Sequence, residues 1–585
     1  MLERYLAAHP LTDVRYMPQF PPMDDRAAWD SVADDDRAAL LAYAQDWHER
    51  PWPVLTAGMY ASFIRTGSRR DCEVPYFDRR RKLCSAVLHA CLTNTDAFLA
   101  DVEDGLWLLC EETTWAISAH AGLNAAHPFP DDQGTIVDLF AAQTAMILSL
   151  TAQLLQTRLH ADVFVRVRRE VERRVLRPFM EKNDEWWMGY TRKDLNNWTP
   201  WIISNILMSA NVWHYGGTAL VARACMMLDR WLVCVPADGG CDEGAGYWNM
   251  AGGAFLDCLM ALESMAGINL WQEDKVRRMM AYPALVYLGG GWFANFADCD
   301  ARPYISGERL QYAGQKTGNA ELIRMGVEMW GSPLKELSDT PHLSRMLMRI
   351  LAQPAAAAVS APNPKDVWLP DLQVRLVARG HLVAAMKGGH NAESHNHNDV
   401  GSFLVMAGGD MQVVDAGNMI YTAKTFSRQR YELWNCRAMY HNVPIIAGYE
   451  QQPGREFTAK DVCCTDDGMS LDLADAYPAD AGVQRCSRVF RVQENRLALQ
   501  EDITLAQPQE ITWVFMLRHE PTMAPEGCTL PGGFRIGWET GLSAQVERID
   551  ITDVRMQGSY PGALWRLTLT AAPSDHHVQT FLFET

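Results

Sequence analysis

The spacing of apolar residues changes once along the chain, and this change restricts the fold more than any other feature. Up to about residue 350, apolar residues recur at i, i+3, i+4 and i+7, which predicts amphipathic helices over 136–155, 203–208, 219–234, 253–266 and 318–330. Later the period becomes two, which predicts strands over 374–379, 497–500, 511–518, 564–570 and 579–584. The sequence therefore predicts a helical toroid or solenoid followed by an antiparallel sandwich.

The two halves meet at a segment rich in alanine and proline, AQPAAAAVSAPNPKD at 352–366. Such a composition is typical of a linker. We therefore predict a helical domain over 1–351, a linker over 352–366 and a β domain over 367–585.

Composition and charge exclude several classes of protein. The 585 residues include 53 Lys and Arg against 71 Asp and Glu, a formal net charge of −18, which disfavours a general nucleic-acid binder. The sequence contains no run of ~18 apolar residues, so it predicts no membrane span. The start MLERYLAAHP does not resemble a signal peptide, and 14 cysteines occur without a CxxC pair, so we expect a cytoplasmic protein with reduced thiols. A homo-oligomer is compatible with the sequence.

The densest polar cluster is GGHNAESHNHNDVGSF at 388–403, which contains His390, His395 and His397. The turn signal Ala407-Gly408-Gly409-Asp410 follows it and predicts a hairpin that brings Asp415 back toward His397. His441 lies further along the chain. Two imidazoles and a carboxylate suit a zinc-like divalent ion. A loop rich in histidine and asparagine can equally serve only as a hydrogen-bonded polar turn.

The motifs SHNHNDVGSF, VVDAG, YTAKTFS and YHNVP together resemble the signature of the heparinase II/III-like polysaccharide lyases. Further matches lie in the helical half: NNWTPW (196–201), DEGAGYWNMAGG (242–253) and NFADCDARP (295–303). The resemblance covers most of the chain. It implies an N-terminal (α/α) toroid and a C-terminal antiparallel β-sandwich, the same order that the periodicity indicates.

The resemblance also implies roles for individual residues. Asn197 would bind the uronate carboxylate, Tyr247 would transfer a proton, and His395 would face the substrate. A divalent metal, Zn²⁺ first with Mn²⁺ or Ca²⁺ also allowed, would have a mainly structural role. Its implied ligands are His397, Asp415 and His441.

Other residues are candidates for substrate contact, and one position departs from the family. Several branches of the family have a histidine after the carboxylate-binding asparagine, whereas Trp198 stands here. A base at that position is absent unless His395 or His214 substitutes. The candidate substrate-binding residues are Arg80, Trp198, Trp248, Glu243, Arg430 and Tyr431.

The sequence thus predicts a lyase that cleaves 4-linked uronic-acid glycans by β-elimination, with glycosaminoglycans as first choice and alginate or other bacterial polyuronates second. An inverting glycoside hydrolase would need two separated carboxylates, and the adjacent Asp242 and Glu243 form a poor pair. A non-catalytic sugar-binding protein is the third alternative. Because the chain is acidic, positive potential is expected only in one cleft, and short anionic oligosaccharides are the more plausible substrates.

Overall fold

Two structural units account for the chain in the computed structural model, which describes residues 1–131, 136–338, 340–355 and 364–585. The helical unit comprises Met1–Val235, Asn249–Val276 and Ser306–Val359. The β unit comprises Pro236–Trp248, Arg277–Ile305 and Ser360–Thr585. Two short segments from the first half of the chain therefore belong to the β unit.

The helices, in chain order, are α1 (Leu2–Ala8), α2 (Arg26–Trp29), α3 (Asp34–Glu49), α4 (Ala57–Thr66), α5 (Arg70–Thr93), α6 (Leu99–Glu111), α7 (Leu139–Leu154), α8 (Ala161–Val171), α9 (Arg177–Glu181), α10 (Trp198–Trp213), α11 (Gly217–Cys234), α12 (Gly252–Ala266), α13 (Asp274–Leu285), α14 (Gly307–Thr317), α15 (Ala320–Glu328), α16 (Lys335–Ser338) and α17 (Leu343–Leu351). A π-helical turn, Glu172–Leu176, joins α8 to α9.

The strands, in chain order, are β1 (Tyr287–Gly289), β2 (Trp292–Phe293), β3 (Val367–Leu369), β4 (Val374–Arg379), β5 (Leu382–Lys387), β6 (His390–Asn391), β7 (Phe403–Ala407), β8 (Asp410–Val413), β9 (Pro444–Ile446), β10 (Gly454–Thr458), β11 (Lys460–Thr465), β12 (Gly468–Asp472), β13 (Val483–Gln493), β14 (Arg496–Leu517), β15 (Thr522–Ala524), β16 (Gly527–Thr529), β17 (Arg535–Gly537), β18 (Ser543–Asp550) and β19 (Ala563–Glu584).

The core of the helical unit is built around α7, which packs against α10, while α10 packs against α12. The sequence predicts an amphipathic helix here, but nearly every residue of α7 is buried. Its sequence LFAAQTAMILSLTAQL carries no charge, and a helix that is apolar all round is buried all round. Asp138 begins the helix, because its carboxylate accepts hydrogen bonds from the backbone N–H groups of Phe140 and Ala141 at 3.1 and 2.7 Å.

The β unit is organised by two strands of unusual length, β14 and β19, which pair antiparallel along most of their length. The register between them shifts around Gln509. The first part of β14 also pairs with β13, whereas its last part pairs with β9 and β8. Such an irregularity lets one strand take part in two layers of a sandwich.

A hairpin positions the segment that follows the histidine cluster. β7 and β8 pair antiparallel through Gly408-Gly409, which have φ values of 59° and 81°. A two-residue turn with both φ values positive matches the twist of the strands, so the predicted hairpin is confirmed. The buried Arg488 then braces the loops on either side, because its guanidinium donates to the carbonyls of Gly401 and Asn442 at 2.6 and 2.7 Å.

The predicted fold class, a helical domain followed by an antiparallel β domain, is confirmed. The predicted domain boundaries stay a prediction, and residues 356–363 of the predicted linker lie outside the described residues. Among the described residues, no helix has the length and hydrophobicity that a membrane crossing requires.

Candidate active site

The loop that carries His395 has an unusual backbone conformation. His395 has a φ of 56°, a left-handed conformation that costs a non-glycine residue ~1 kcal/mol or more. The guanidinium of Arg430 offsets this cost by donating to the carbonyl oxygens of His395 and Asn396, each at 3.0 Å. These two hydrogen bonds hold the loop backbone in this conformation, and the imidazole of His395 is held in one orientation.

Asp298 is the centre of the site, although the sequence did not single it out. Its side chain is 1% exposed, and its carboxylate lies 2.9 Å from Nδ1 of His395 and 3.1 Å from Nε2 of His397. It also accepts hydrogen bonds from Arg430 at 2.7 Å and from the hydroxyl of Tyr421 at 3.3 Å. Burial alone would raise the pKa of Asp298, but the two histidines and Arg430 hold it well below its usual value. Asp298 is thus a buried carboxylate that stays ionised.

Tyr247 faces this centre within the β unit. Its hydroxyl hydrogen-bonds to the hydroxyl of Tyr421 and lies 3.5 Å from Nδ1 of His395. The pKa of Tyr247 is raised well above its usual value, first by burial and then by Tyr421 and the carboxylates of Glu243 and Asp298. A tyrosine that acts as a base needs nearby positive charge to lower its pKa. In the resting site the opposite holds, and Tyr247 is a neutral phenol.

Glu243 lies on the other edge of the His395 ring. One of its carboxylate oxygens accepts a hydrogen bond from Ser394 at 3.1 Å, and the other lies 4.0 Å from Nε2 of His395. Burial raises the pKa of Glu243 to about 7. Burial alone would lower the pKa of His395, but Glu243 and Asp298 raise it above its usual value. The imidazole therefore lies between two carboxylates that favour its charged form.

The three predicted metal ligands lie together in the β unit. His397, Asp415 and His441 are fully buried, and one ligand atom from each lies within 4.8 Å of the others. Nδ1 of His441 is 2.9 Å from Asp415, while its Nε2 is 3.0 Å from the carbonyl oxygen of Asn435. Nε2 of His397 faces Asp298, and its Nδ1 makes no hydrogen bond.

This arrangement fits a metal ion. A ligating histidine needs an acceptor for the ring nitrogen that does not bind the metal. Asp298 supplies that acceptor for His397, and the carbonyl of Asn435 supplies it for His441. The buried Nδ1 of His397 is left without a partner, as expected for an atom that faces an ion.

Three of the predicted substrate contacts are used inside the β unit instead. Arg430 is 7% exposed and is committed to Asp298 and the loop carbonyls. Tyr431 donates a hydrogen bond to the side chain of Asn396 at 2.9 Å. Trp248 is 1% exposed, and its indole N–H donates to a backbone carbonyl. These contacts favour a positioning role for all three residues over substrate contact.

Arg80, in the helical unit, also has a structural environment. It is 2% exposed and forms a double hydrogen bond with Glu112 at 3.2 and 2.8 Å. Its Nε donates to Thr144, and its guanidinium lies 3.3 Å from the centre of the Tyr76 ring. With its donors satisfied inside the helical core, Arg80 is better explained as a buried ion pair than as the predicted substrate contact.

Asn197 and Trp198 lie at the beginning of α10 in the helical unit. Asn197 is the N-cap residue, is 7% exposed and makes no capping hydrogen bond with its side chain. Trp198 is half-buried against the rings of Trp186 and His120. His214 ends the same helix in a left-handed conformation and stacks on Tyr16, so it has a capping and packing role. The carboxylate-binding role of Asn197 stays a prediction.

The raised pKa of Glu243 predicts a pH-dependent stability. Its pKa is about 7 in the folded protein against a usual value of 4.5, so the folded state keeps this proton up to a higher pH than the unfolded state does. This group's contribution to stability therefore falls as pH rises through that window, by up to ~3 kcal/mol. We expect Glu243→Gln to gain stability relative to the wild type between pH 5 and pH 8 in urea unfolding experiments.

The exposed Glu526 provides a matched control. The difference between Glu526→Gln and the wild type should stay constant over the same pH range. If the curves for Glu243→Gln and the wild type run parallel, the raised pKa of Glu243 is wrong.

Comparisons with known proteins agree with the fold. The family described as "Heparinase II/III-like, C-terminal" matches residues 361–564. A search of curated proteins finds no match. Solved structures similar to the chain include a heparinase III gene product, with 11% identity, a TM-score of 0.61, and coverage of 100% of this chain and 87% of that chain.

Two further solved structures carry more detailed titles. The heparan sulfate lyase HepC of Pedobacter heparinus has 11% identity, a TM-score of 0.55, and coverage of 96% of this chain and 90% of that chain. The chondroitin AC lyase of Streptomyces coelicolor A3, solved with chondroitin sulphate, has 12% identity, a TM-score of 0.56, and coverage of 96% and 83%. At this identity the likeness shows the fold. Together with the match of residues 361–564 to the heparinase II/III-like C-terminal family, it confirms the resemblance indicated by the motifs.

Proposed function

We propose that the protein is a polysaccharide lyase that cleaves 4-linked uronic-acid glycans by β-elimination. The observation that carries this proposal is that His395 and Tyr421 both hydrogen-bond to the buried carboxylate of Asp298, while the hydroxyl of Tyr247 contacts Tyr421 and His395. These groups can donate, accept and relay protons, and the reaction needs no covalent nucleophile. Glycosaminoglycans are the favoured substrate class, since the similar structures include a heparan sulfate lyase and a chondroitin AC lyase.

The chemistry explains why these residue types are needed. The enzyme removes the proton at C5 of the uronate, and the electron pair forms the C4–C5 double bond while the 4-linked oxygen leaves. The C5 proton is very weakly acidic as long as the neighbouring carboxylate keeps its full charge. Hydrogen bonds to the uronate carboxylate, the role predicted for Asn197, would stabilise the enediolate that develops. One preorganised donor of this kind is typically worth ~3 kcal/mol.

Tyr247 is suited to protonate the leaving oxygen. Its phenol is neutral in the resting site, and proton transfer by a positioned group contributes ~10²–10⁴-fold to a rate. The hydroxyl of Tyr421, which bonds to both Tyr247 and Asp298, offers a path along which the proton is replaced. His395 would accept the C5 proton in its neutral form, and the carboxylates of Glu243 and Asp298 would stabilise the imidazolium that forms.

An inverting glycoside hydrolase has less support. It needs an acidic and a basic carboxylate facing each other across ~6.5–9.5 Å, with room for water. Glu243 and Asp298 do differ in pKa, but the ring of His395 lies against both carboxylates. Asp298 is also buried and occupied by four donors.

The proposed reaction has a direct optical assay. Incubation with heparan sulfate, chondroitin and alginate oligosaccharides should produce the ultraviolet absorbance of an unsaturated uronate. Tyr247→Phe should lower this rate by ~10²-fold or more, because the phenol can no longer transfer a proton. Tyr449→Phe, at an exposed tyrosine of the same unit, should keep the wild-type rate.

Two results would contradict the proposal. New reducing ends without ultraviolet absorbance would indicate hydrolysis. Wild-type activity in Tyr247→Phe would show that this hydroxyl has no part in proton transfer.

We further infer that His397, Asp415 and His441 hold a divalent ion, with zinc favoured by the two imidazoles and the carboxylate. When bound, the ion would supply positive charge and join the three chain segments that carry its ligands. Its effect on the reaction would be indirect, because His397 lies two residues after His395 and contacts the same carboxylate, that of Asp298.

The metal inference predicts a coupled loss in His397→Ala. Removing one of three ligands should reduce the bound metal from about one equivalent to a small fraction and lower the melting temperature, because metal binding contributes to folding stability. Elemental analysis and thermal unfolding measure the two effects. His576→Ala, at an exposed histidine, is the control and should match the wild type in both. A variant His397→Ala with full metal content would contradict the ligand assignment.

A further inference from the structure

Phe426 is an exposed aromatic residue beside the proton-transfer groups. It is 57% exposed and does not belong to the hydrophobic core that the described residues of the β unit form. The centre of its ring lies 5.5 Å from that of His395 and 5.0 Å from that of Tyr421, edge to face with each. Exposed apolar surface of this size at a reactive site is suited to be covered by a bound ligand.

Arg555 places a positive charge against the ring of the same tyrosine. Its guanidinium carbon lies 5.6 Å from the centre of the Tyr421 ring, and its side chain is 37% exposed. Nε and Nη2 donate to the carboxylate of Asp300 at 2.9 and 3.2 Å. Nη1 donates to none of the residues that the structure describes. Arg555 therefore keeps N–H groups with which it can bind an anion.

The loop that carries Arg555 is fixed to the segment that carries Tyr421. One carboxylate oxygen of Asp553 accepts a hydrogen bond from the backbone N–H of Ile420 at 3.0 Å. The other oxygen accepts from the backbone N–H of Arg555 at 2.9 Å. The ion pair with Asp300 then holds the guanidinium itself. The position of Arg555 relative to Tyr421 is therefore set by the fold of the β unit.

The combination of an apolar ring and a guanidinium matches the two kinds of surface on an acidic sugar. The C–H groups on the face of a pyranose ring pack against an aromatic ring, and a carboxylate or sulfate accepts charge-assisted hydrogen bonds from a guanidinium. A neutral sugar would use only Phe426, and a small inorganic anion would use only Arg555. Together the two residues fit a sugar ring that carries a negative charge.

We propose that Phe426 and Arg555 form a subsite for one acidic sugar residue of the substrate, beside the bond that is cleaved. Phe426 packs against the sugar ring, and Arg555 donates hydrogen bonds to its carboxylate or sulfate. The inference rests on the lyase function proposed above, because both residues contact Tyr421 of the proposed proton path. The subsite selects acidic sugars over neutral ones without taking part in proton transfer.

Steady-state kinetics test the subsite on the glycan that the optical assay identifies, compared with its desulfated form where it carries sulfate. Phe426→Ala and Arg555→Gln should each lower kcat/KM by ~10-fold or more, mainly through a higher KM, because they remove binding contacts and no proton-transfer group. Phe426→Tyr keeps the ring and should recover most of the loss. A loss in Arg555→Gln only on the sulfated glycan identifies sulfate as the bound anion, and an equal loss on both forms identifies the carboxylate.

Two exposed residues of the same unit are matched controls. Tyr449→Ala removes another exposed aromatic ring, and Arg548→Gln removes another arginine that is paired with an aspartate. Both should match the wild type in kcat and KM. An unchanged KM in Phe426→Ala and Arg555→Gln overturns the subsite. A loss only in kcat also overturns it, because that result shows that the two residues merely position Tyr421.

Binding measurements separate the subsite from the proposed function. Calorimetry of Tyr247→Phe with the same oligosaccharides should show binding, and adding Phe426→Ala or Arg555→Gln should weaken it ~10-fold. If the wild type binds these glycans but forms no unsaturated uronate, the lyase function fails and this weakening alone decides the subsite. If the wild type is an active lyase but the double variants bind as tightly as Tyr247→Phe, only the subsite fails. If no acidic glycan binds, both are overturned.

Discussion

The buried carboxylate of Asp298 is the interaction on which the rest of the site depends. It accepts hydrogen bonds from two histidines of one loop, from the guanidinium of Arg430 and from the phenol of Tyr421. A buried carboxylate with fewer donors would bind a proton instead of staying ionised. The four donors therefore stabilise the charge of Asp298, and that charge in turn orients His395 and His397.

The carboxylate of Asp298 contacts both the proposed proton-transfer residues and a predicted metal ligand. One oxygen faces His395 and Tyr421 on the reacting side, and the other faces His397 and Arg430 on the side of the metal ligands. Asp298 thereby links the side chain of His397 to that of His395.

Much of this was predictable from the sequence, and the remainder depends on tertiary contacts. The change in apolar period gave the order of helices and strands, and the Gly408-Gly409 turn gave the hairpin that leads to Asp415. Asp298 and Tyr421 lie within the motifs that resemble the lyase family, yet no local pattern in the sequence shows that their side chains are in contact.

Two further differences between the sequence-based predictions and the structure have clear physical causes. Arg80 is a predicted substrate contact, but its pairing with Glu112 joins α5 to the residue that ends α6 and cannot be predicted from spacing. The periodicity of 136–155 indicated one apolar face, whereas the packing of α7 against α10 and other helices buries it almost completely. Burial on all sides is a property of the assembled core.

The most direct test of this account is the elimination rate of Asp298→Asn, measured as unsaturated uronate formed per folded molecule. The substitution keeps the size of the side chain but removes the charge that orients His395 and balances Arg430. The account predicts a rate at least ~100-fold below that of the wild type, within the range for lost proton-transfer function. An unchanged rate in the folded variant would contradict the central role of Asp298.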